Sequence, residues 1–338
     1  MLGCPQAPHG SAVVHSSTSR PSPTPQGLSN AETMTYLDPS LRDLAQAQHG
    51  LFTTKQAHRT GLTSVALVHA VRSEELLHPA RGLYAVADLV DPTSPSRWHA
   101  DLSFGAGLLW DDATLGSTSA VLAHGVRVWG ADMSTINVLR PIDRSVRVGP
   151  YRVRQWTGQP TQRTPVGPAV QLATALAAHA MEHGVVQGVV SADHAMHAGL
   201  VSAEDLRAAV DVVCGWRHGS RAVSMLSFAN GLRESVGESR CSVALEMAGL
   251  VLTPQVEIRD RDGRLVGRVD FLVHGTNVIV EFDGRMKYDS GDPAVLWAEK
   301  KREDALRRLG YVVVRITWAD LERPGAAAAK VRSAIAAA

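Results

Sequence analysis

The chain is short of lysine, aromatic residues and cysteine. Only five of its 34 basic residues are lysine; the other 29 are arginine. Aromatics make up 5% of the 338 residues, so a core must be built mainly from Ala, Val and Leu. The three cysteines, Cys4, Cys214 and Cys241, are far apart and form no C-x-x-C pair. That excludes a disulfide framework and a cysteine zinc site, and a cytoplasmic location is expected. No apolar run reaches the roughly 18–20 residues that span a bilayer, so no membrane partner is expected. An excess of one charge is also missing: 34 basic and 33 acidic residues give a formal net charge of +1. Any basic surface for an acidic partner must therefore be local.

A length of 338 residues exceeds one typical core and predicts several domains. Residues 1–33 hold five of the 17 prolines and six serines, with only Arg20 and Glu32 charged. They are expected to be a disordered leader, not a signal peptide. Met34 is a candidate translation start. Over 34–90, Ser40 is the expected cap of a helix at 41–48. Thr53 or Thr54 caps a second helix to about Arg59. Thr63 or Ser64 caps a third through Arg72, where Val65, Val68 and Val71 recur at helical spacing. Leu76-Leu77 and Leu83-Tyr84 flank an Arg81-Gly82 turn. This is the winged helix-turn-helix order, with a plain helical bundle as the competing fold.

Residues 91–220 read as an α+β middle domain. Helices are expected at 106–115, 118–124, 169–183, 186–198 and 203–213. Strands are expected at 135–140 and 145–156, with Arg152 and Arg154 on one face. Residues 214–234 are expected to connect. Residues 221–338 give a helix at 238–248, strands at 255–259 and 264–273 around an Asp262-Gly263 turn, and a buried strand at 277–283. An amphipathic helix at 293–309, stopped by Gly310, and a last strand at 311–317 follow. The fold class is mixed α/β and multidomain, ending in αβββαβ order.

The chemistry-bearing residues lie in that last part. Asp270 is in one strand; Glu281 and Asp283 are two apart in the next, so they share a face. Clustered carboxylates repel one another unless compensated, and Mg2+ or Mn2+ is the natural counter-ion for oxygen ligands. Such an ion can activate water against a phosphodiester. Glu238 can reach the same edge. Three of the five lysines, Lys287, Lys300 and Lys301, follow closely. The competing account is a set of solvated Glu–Lys and Asp–Arg pairs. Arg302, Arg307 and Arg308 are expected on a solvated or phosphate-facing helix surface, and Trp297 and Trp318 in packing. His194 and His197 are i,i+3 but lack a third ligand, so no metal site is expected there.

ESR at 238–240, RVDF at 268–271, VIVEFDGRMKY at 278–288 and AEKKREDALRRLGYVVVRITWADL at 298–321 resemble the PD-(D/E)XK nuclease superfamily. More narrowly, they resemble actinobacterial proteins related to very-short-patch-repair endonucleases. The resemblance covers about a quarter of the chain. It implies an αβββαβ restriction-endonuclease-like core and a Mg2+-dependent endodeoxyribonuclease. Asp270 and Glu281 match the metal-binding acids, and Glu238 the acid of the first helix. Asp283 stands where the superfamily has its catalytic lysine and could join the metal ligands; Lys287 and Lys300 are the candidate substitutes.

HGLFTTKQAHRTGL at 49–62, RGLYAV at 81–86, STSAVLAHG at 117–125 and TPVGPAVQLATAL at 164–176 resemble the AbiEi family of antitoxin-type transcriptional regulators. That implies a DNA-binding winged helix followed by an antitoxin-like middle domain. Ser64, His69 and Arg72 would face DNA, and Arg81 in the wing would meet phosphate. A cognate toxin is the implied protein partner. Endonuclease is the leading expectation. A regulator whose nuclease fold is non-catalytic is the alternative, and a pure partner-binding protein the third.

Overall fold

Side-chain caps and tight turns build the first elements. The computed structural model describes residues 37–284 and 293–338. The leader expected at 1–33 and Lys287 lie outside them. Helix α1 (Pro39–Ala47) is capped by Asp38, whose carboxylate accepts from the Ser40 N–H at 2.8 Å, with Pro39 in the first turn. Asp38, not Ser40, is thus the cap. Strand β1 (Leu51–Thr53) leads into α2 (Thr54–Arg59), where Thr53 and Gln56 form a reciprocal capping box. Thr63 caps α3 (Ser64–Arg72) through the Ala66 N–H. Each such cap contributes about 1 kcal/mol. Strands β2 (Leu76–Ala80) and β3 (Leu83–Val86) form a hairpin, and β1 adds to β3 to give the order β1-β3-β2. Leu41, Phe52, Leu67, Leu76 and Val86 fill the space between helices and sheet.

Of the apolar repeat of α3, only Val71 packs against the core. Val65 is 80% exposed and Val68 50%, while Leu67 and Ala70 are buried. Both sides of this helix are apolar, so periodicity alone does not choose between them.

The next elements are α4 (Pro95–Leu109), β4 (Thr114–Leu115), α5 (Ser117–Ala123), β5 (Ile136–Arg140), β6 (Val146–Val148) and β7 (Tyr151–Gln155). Then follow β8 (Thr161–Thr164), β9 (Gly167–Val170), α6 (Leu172–His183), α7 (Val185–His197), α8 (Ala203–Val213) and α9 (Gly219–Phe228). The strands form one mixed sheet, β6-β7-β5-β4-β9-β8. Helix α9 occupies the stretch expected to be a connection. Its Ala222 and Met225 are buried, and it packs on α6, α7 and α8. Helix α4 begins eleven residues earlier than expected, and the short β4 takes the end of that predicted helix.

One continuous core runs from Leu51, Leu83 and Ala85 of the first sheet through Ala106 and Val153 to Leu176, Val189 and Leu206. Gly105 marks the tightest approach within it. A β-carbon there would lie 2.8 Å from the Tyr151 hydroxyl and 2.9 Å from Leu83, so α4 can lie this close only because residue 105 has none. The buried Tyr151 hydroxyl donates to the Leu102 carbonyl at 2.9 Å.

The last part runs α10 (Val236–Met247), β10 (Leu252–Arg259), β11 (Leu265–Val273), β12 (Val278–Asp283), α11 (Pro293–Arg308) and β13 (Val312–Thr317). Helices α12 (Trp318–Glu322) and α13 (Ala326–Ala337) close the chain. The expected αβββαβ order is present, with two helices added. The sheet order is β10-β11-β12-β13, and only β12 and β13 pair in parallel. Phe271, Val278 and Val280 pack with Cys241 and Leu245 of α10 and with α13; Ile279 turns to the opposite face with Leu306 of α11. Strand β12 is therefore covered on both sides, as its apolar run suggested.

Residues 37–338 form a single contact-linked unit. Two arginines fasten α10 to what precedes it. Arg233, 4% exposed, donates to Asp193 of α7 at 3.0 Å, to Glu246 of α10 at 2.9 Å and to the Phe228 carbonyl at 2.7 Å. Arg240 lies over Trp129 at 3.9 Å and Trp318 at 5.4 Å. Among the described residues, no helix is long and apolar enough to cross a membrane.

Candidate functional site

Two surfaces carry the residues singled out from the sequence. On α3, Ser64, Val65, Val68, His69 and Arg72 are all exposed and fall along one stripe of the helix. The buried side of the same helix, Leu67 and Ala70, fixes which way that stripe faces. Ser64 Oγ is 3.1 Å from His58 Nε2 of α2, which ties the start of α3 to the preceding helix. Lys55, His58 and Arg59 of α2 are exposed too, and Arg81 stands exposed at the tip of the β2–β3 hairpin. His78 stacks on Tyr84 at 4.6 Å and stiffens that hairpin. The stripe thus combines hydrogen-bonding and cationic groups with two valine side chains, flanked by basic residues on both sides.

The second surface is on the C-terminal sheet. Phe271 pairs with Val280 and Leu272 with Ile279, and the register continued one step sets Asp270 opposite Glu281. Glu281 in turn pairs with Arg315 of β13. On the other side, Pro254 pairs with Phe271 and Val256 with Val269, which leaves Gln255 beside Asp270. Gln255 has φ 54, a left-handed conformation that costs a non-glycine residue energy and tends to mark functional positions. Gln255, Asp270, Glu281 and Arg315 therefore form a row across four strands.

Asp270 is the electrostatic centre of the row. Burial pushes its carboxyl up to about 6; the Phe282 N–H, donating at 2.8 Å, pulls it down, Glu238 and Glu281 push it up, and Arg302 pulls it down. Glu238 and Glu281 thus lie near enough to repel it, as expected of these three acids. Their remaining bonds point elsewhere. Glu281 accepts from Arg302 of α11 at 2.9 Å. Glu238 accepts from the Glu234 N–H, the Ser235 hydroxyl and Gln255 Nε2. Among the described residues, no three acidic, histidine or cysteine side chains are grouped to hold a metal ion. Glu238 and Glu281 already accept from internal donors, so a divalent cation held here would have to displace Arg302 from Glu281. Asp283 follows Glu281 on the same side of β12 and is partly buried. Lys300 is exposed on α11.

Arg302, expected on a solvated surface, is the cation that reaches Glu281, and it also donates to the Arg268 carbonyl. Trp318 packs edge-on against Phe282 at 4.8 Å, as expected of a packing residue. Trp297 instead is 58% exposed and meets Lys301 at 5.4 Å. Gln255 carried no sequence signal, since its role depends on a backbone irregularity in the middle of a strand.

Residues 39–87 match the family model described as a transcriptional regulator, the AbiEi antitoxin. The match spans α1 to the end of β3 and contains Ser64, His69, Arg72 and Arg81. Two relatives are known as uncharacterized protein MT2308, from Mycobacterium tuberculosis (strain CDC 1551 / Oshkosh), and uncharacterized protein Rv2248, from Mycobacterium tuberculosis (strain ATCC 25618 / H37Rv). Each is 28% identical over 225 residues, covering 64% of this chain and 80% of the relative.

Proposed function

We propose that this protein is a DNA-binding transcriptional regulator of the antitoxin kind, and that α3 is its reading helix. The exposed stripe Ser64, Val65, Val68, His69 and Arg72 carries this proposal, on the segment that matches the regulator family. The order α1-β1-α2-α3-β2-β3, with a three-stranded sheet, supports reading this segment as a winged helix-turn-helix. In such a module the second helix of the pair enters the major groove. Arg72 would then meet a guanine edge or phosphate, and the valines would meet thymine methyl groups. Arg81 at the hairpin tip would contact the backbone beside the groove. A cognate toxin is the protein partner consistent with this role.

The test is fluorescence anisotropy of the full chain on a labelled duplex from its own upstream region. Binding is expected to weaken steeply with salt. Arg81→Ala should lower affinity similarly on all sequences and reduce the salt slope by about one. Arg72→Ala should cost about 1–3 kcal/mol and relax sequence preference. Affinity that ignores salt, or is unchanged in both variants, would overturn the assignment.

A second reading, phosphodiester cleavage at the C-terminal sheet with Mg2+ or Mn2+, is favoured by one observation: a carboxyl raised to about 6 between two glutamates. In that role Asp270, Glu281 and Asp283 would be the metal-facing acids, and Arg302 would have to release Glu281. Supercoiled plasmid incubated with the full chain and either ion should be nicked by the wild type and not by Asp270→Ala. Equal nicking by both, or none by the wild type, removes this reading.

A further inference from the structure

A cavity of about 1080 Å³ opens between the six-stranded sheet and helices α6, α8 and α9. Neither proposed role uses it. Its floor is polar and built. Asn137 of β5 lines it at only 4% exposure, and its side-chain oxygen has no hydrogen-bond partner among the described residues. An unpaired buried amide is costly and rare, so a group able to bond it is expected. Beside it, Ser117 adopts φ 45, a strained left-handed conformation, and donates to Glu182 at 2.9 Å.

The charge around this floor is unbalanced. Asn137 pairs with Arg152 and Leu139 with Arg154 across β5 and β7, so both arginines lie on the Asn137 face of the sheet. Both reach the one carboxylate of Glu182. Arg221 of α9, also at the cavity, donates to the Met181 carbonyl, not to an acid. The opposite wall is mostly apolar, with Asp205 at the start of α8 bonded back to the Ser202 cap. Ala208 and Val212 lie one turn apart on α8, with Trp216 just beyond. Val212 is 69% exposed and Trp216 half exposed, an apolar stripe facing open space instead of core.

We propose that this cavity binds a small amphipathic organic anion. Its carboxylate or phosphate head lies against Arg154, Arg221 and the Asn137 amide, and its apolar body lies along Ala208, Val212 and Trp216. The amide can offer its oxygen, or its NH2 after a half-turn, so it serves a head with or without a hydroxyl. The volume is at the upper end of small-molecule sites, and Asn137 sits buried at its floor, out of reach of a flat protein surface. The site lies apart from both α3 and the Asp270 row, so its fate is independent of either role.

The test titrates the full chain with 8-anilinonaphthalene-1-sulfonate, which joins an apolar body to an anionic head. N-phenyl-1-naphthylamine, the same rings without the sulfonate, is the comparison. One sulfonate dye per chain is expected, with the neutral dye at least about tenfold weaker, the scale of one charge-assisted hydrogen bond. Arg154→Gln with Arg221→Gln should weaken the sulfonate dye by a similar factor. Ala208→Trp, a substitution at an exposed position on the cavity wall, should exclude both dyes with the fold retained by circular dichroism. Displacement by decanoate identifies a carboxylate-headed ligand, and displacement by adenosine monophosphate a phosphate-headed one. Equal affinity of the two dyes, binding unchanged in Ala208→Trp, or failure of both competitors to displace the dye would overturn the proposal.

Discussion

Arg233→Met should destabilise the protein by about 3–5 kcal/mol, which is the usual cost of breaking a buried ion pair from one side. The arginine has almost no solvent contact, and three acceptors depend on it: Asp193, Glu246 and the Phe228 carbonyl. Removing it leaves the buried Asp193 carboxyl without its cation, held only by the Asn230 N–H and the Ser239 hydroxyl and pushed further up by burial. Thermal denaturation should show a fall in the midpoint of about 5–8 °C. Adding Asp193→Asn removes the stranded charge while keeping an acceptor, so the double variant should be more stable than Arg233→Met alone. If the double variant is the less stable of the two, the arginine acts through packing and not through charge.

Gly237→Ala should be nearly as damaging, at about 1–3 kcal/mol and toward the upper end of that range. A β-carbon at position 237 would lie 1.9 Å from the Phe282 ring, far inside contact distance. The ring has little room to retreat, because Trp318 closes its other side. Either α10 lifts from the sheet, taking Glu238 away from Gln255, or Phe282 leaves its site. A urea-unfolding cycle with Phe282→Leu separates the cause. The smaller side chain should absorb much of the alanine penalty, so the two substitutions should be clearly less than additive. Full additivity would mean that the ring contact is not what makes the glycine necessary.

What the sequence disclosed was mostly local. Thr53 with Gln56, Thr63, and the Arg81-Gly82 turn are decided within a few residues, and the elements they start or stop were legible. The αβββαβ order was legible for a similar reason. Val278, Ile279 and Val280 can only be a strand covered on both sides, and the turn residues around it are explicit. The Asp270, Glu281 and Glu238 neighbourhood followed from that order together with motif spacing.

What escaped depended on distant partners. Nothing near Arg302 says that it will cross to Glu281, and nothing near Arg233 says that it will be buried under Asp193. Helix α9 was hidden because its Gly, Ser and Arg residues suggest a loop; Ala222 and Met225 become core only once α6 and α7 are present. Val65 and Val68 misled in the opposite sense. A helix with apolar residues on both sides needs its neighbours before its outside is known. Asn137 gave no sign at all, since an unpaired amide exists only in three dimensions.

The core that passes from Leu51, Leu83 and Ala85 into the layer behind them has an evolutionary consequence. The regulator-like lobe cannot be traded between proteins as a cassette. A recombination event ending near residue 90 would import a new α3 surface and, with it, a mismatched rear wall against Gly105 and Tyr151. The exposed stripe from Ser64 to Arg72 is free to change by point substitution, because none of it belongs to that core. Wholesale replacement is confined to exchanges that carry α4 and the sheet along with the helix.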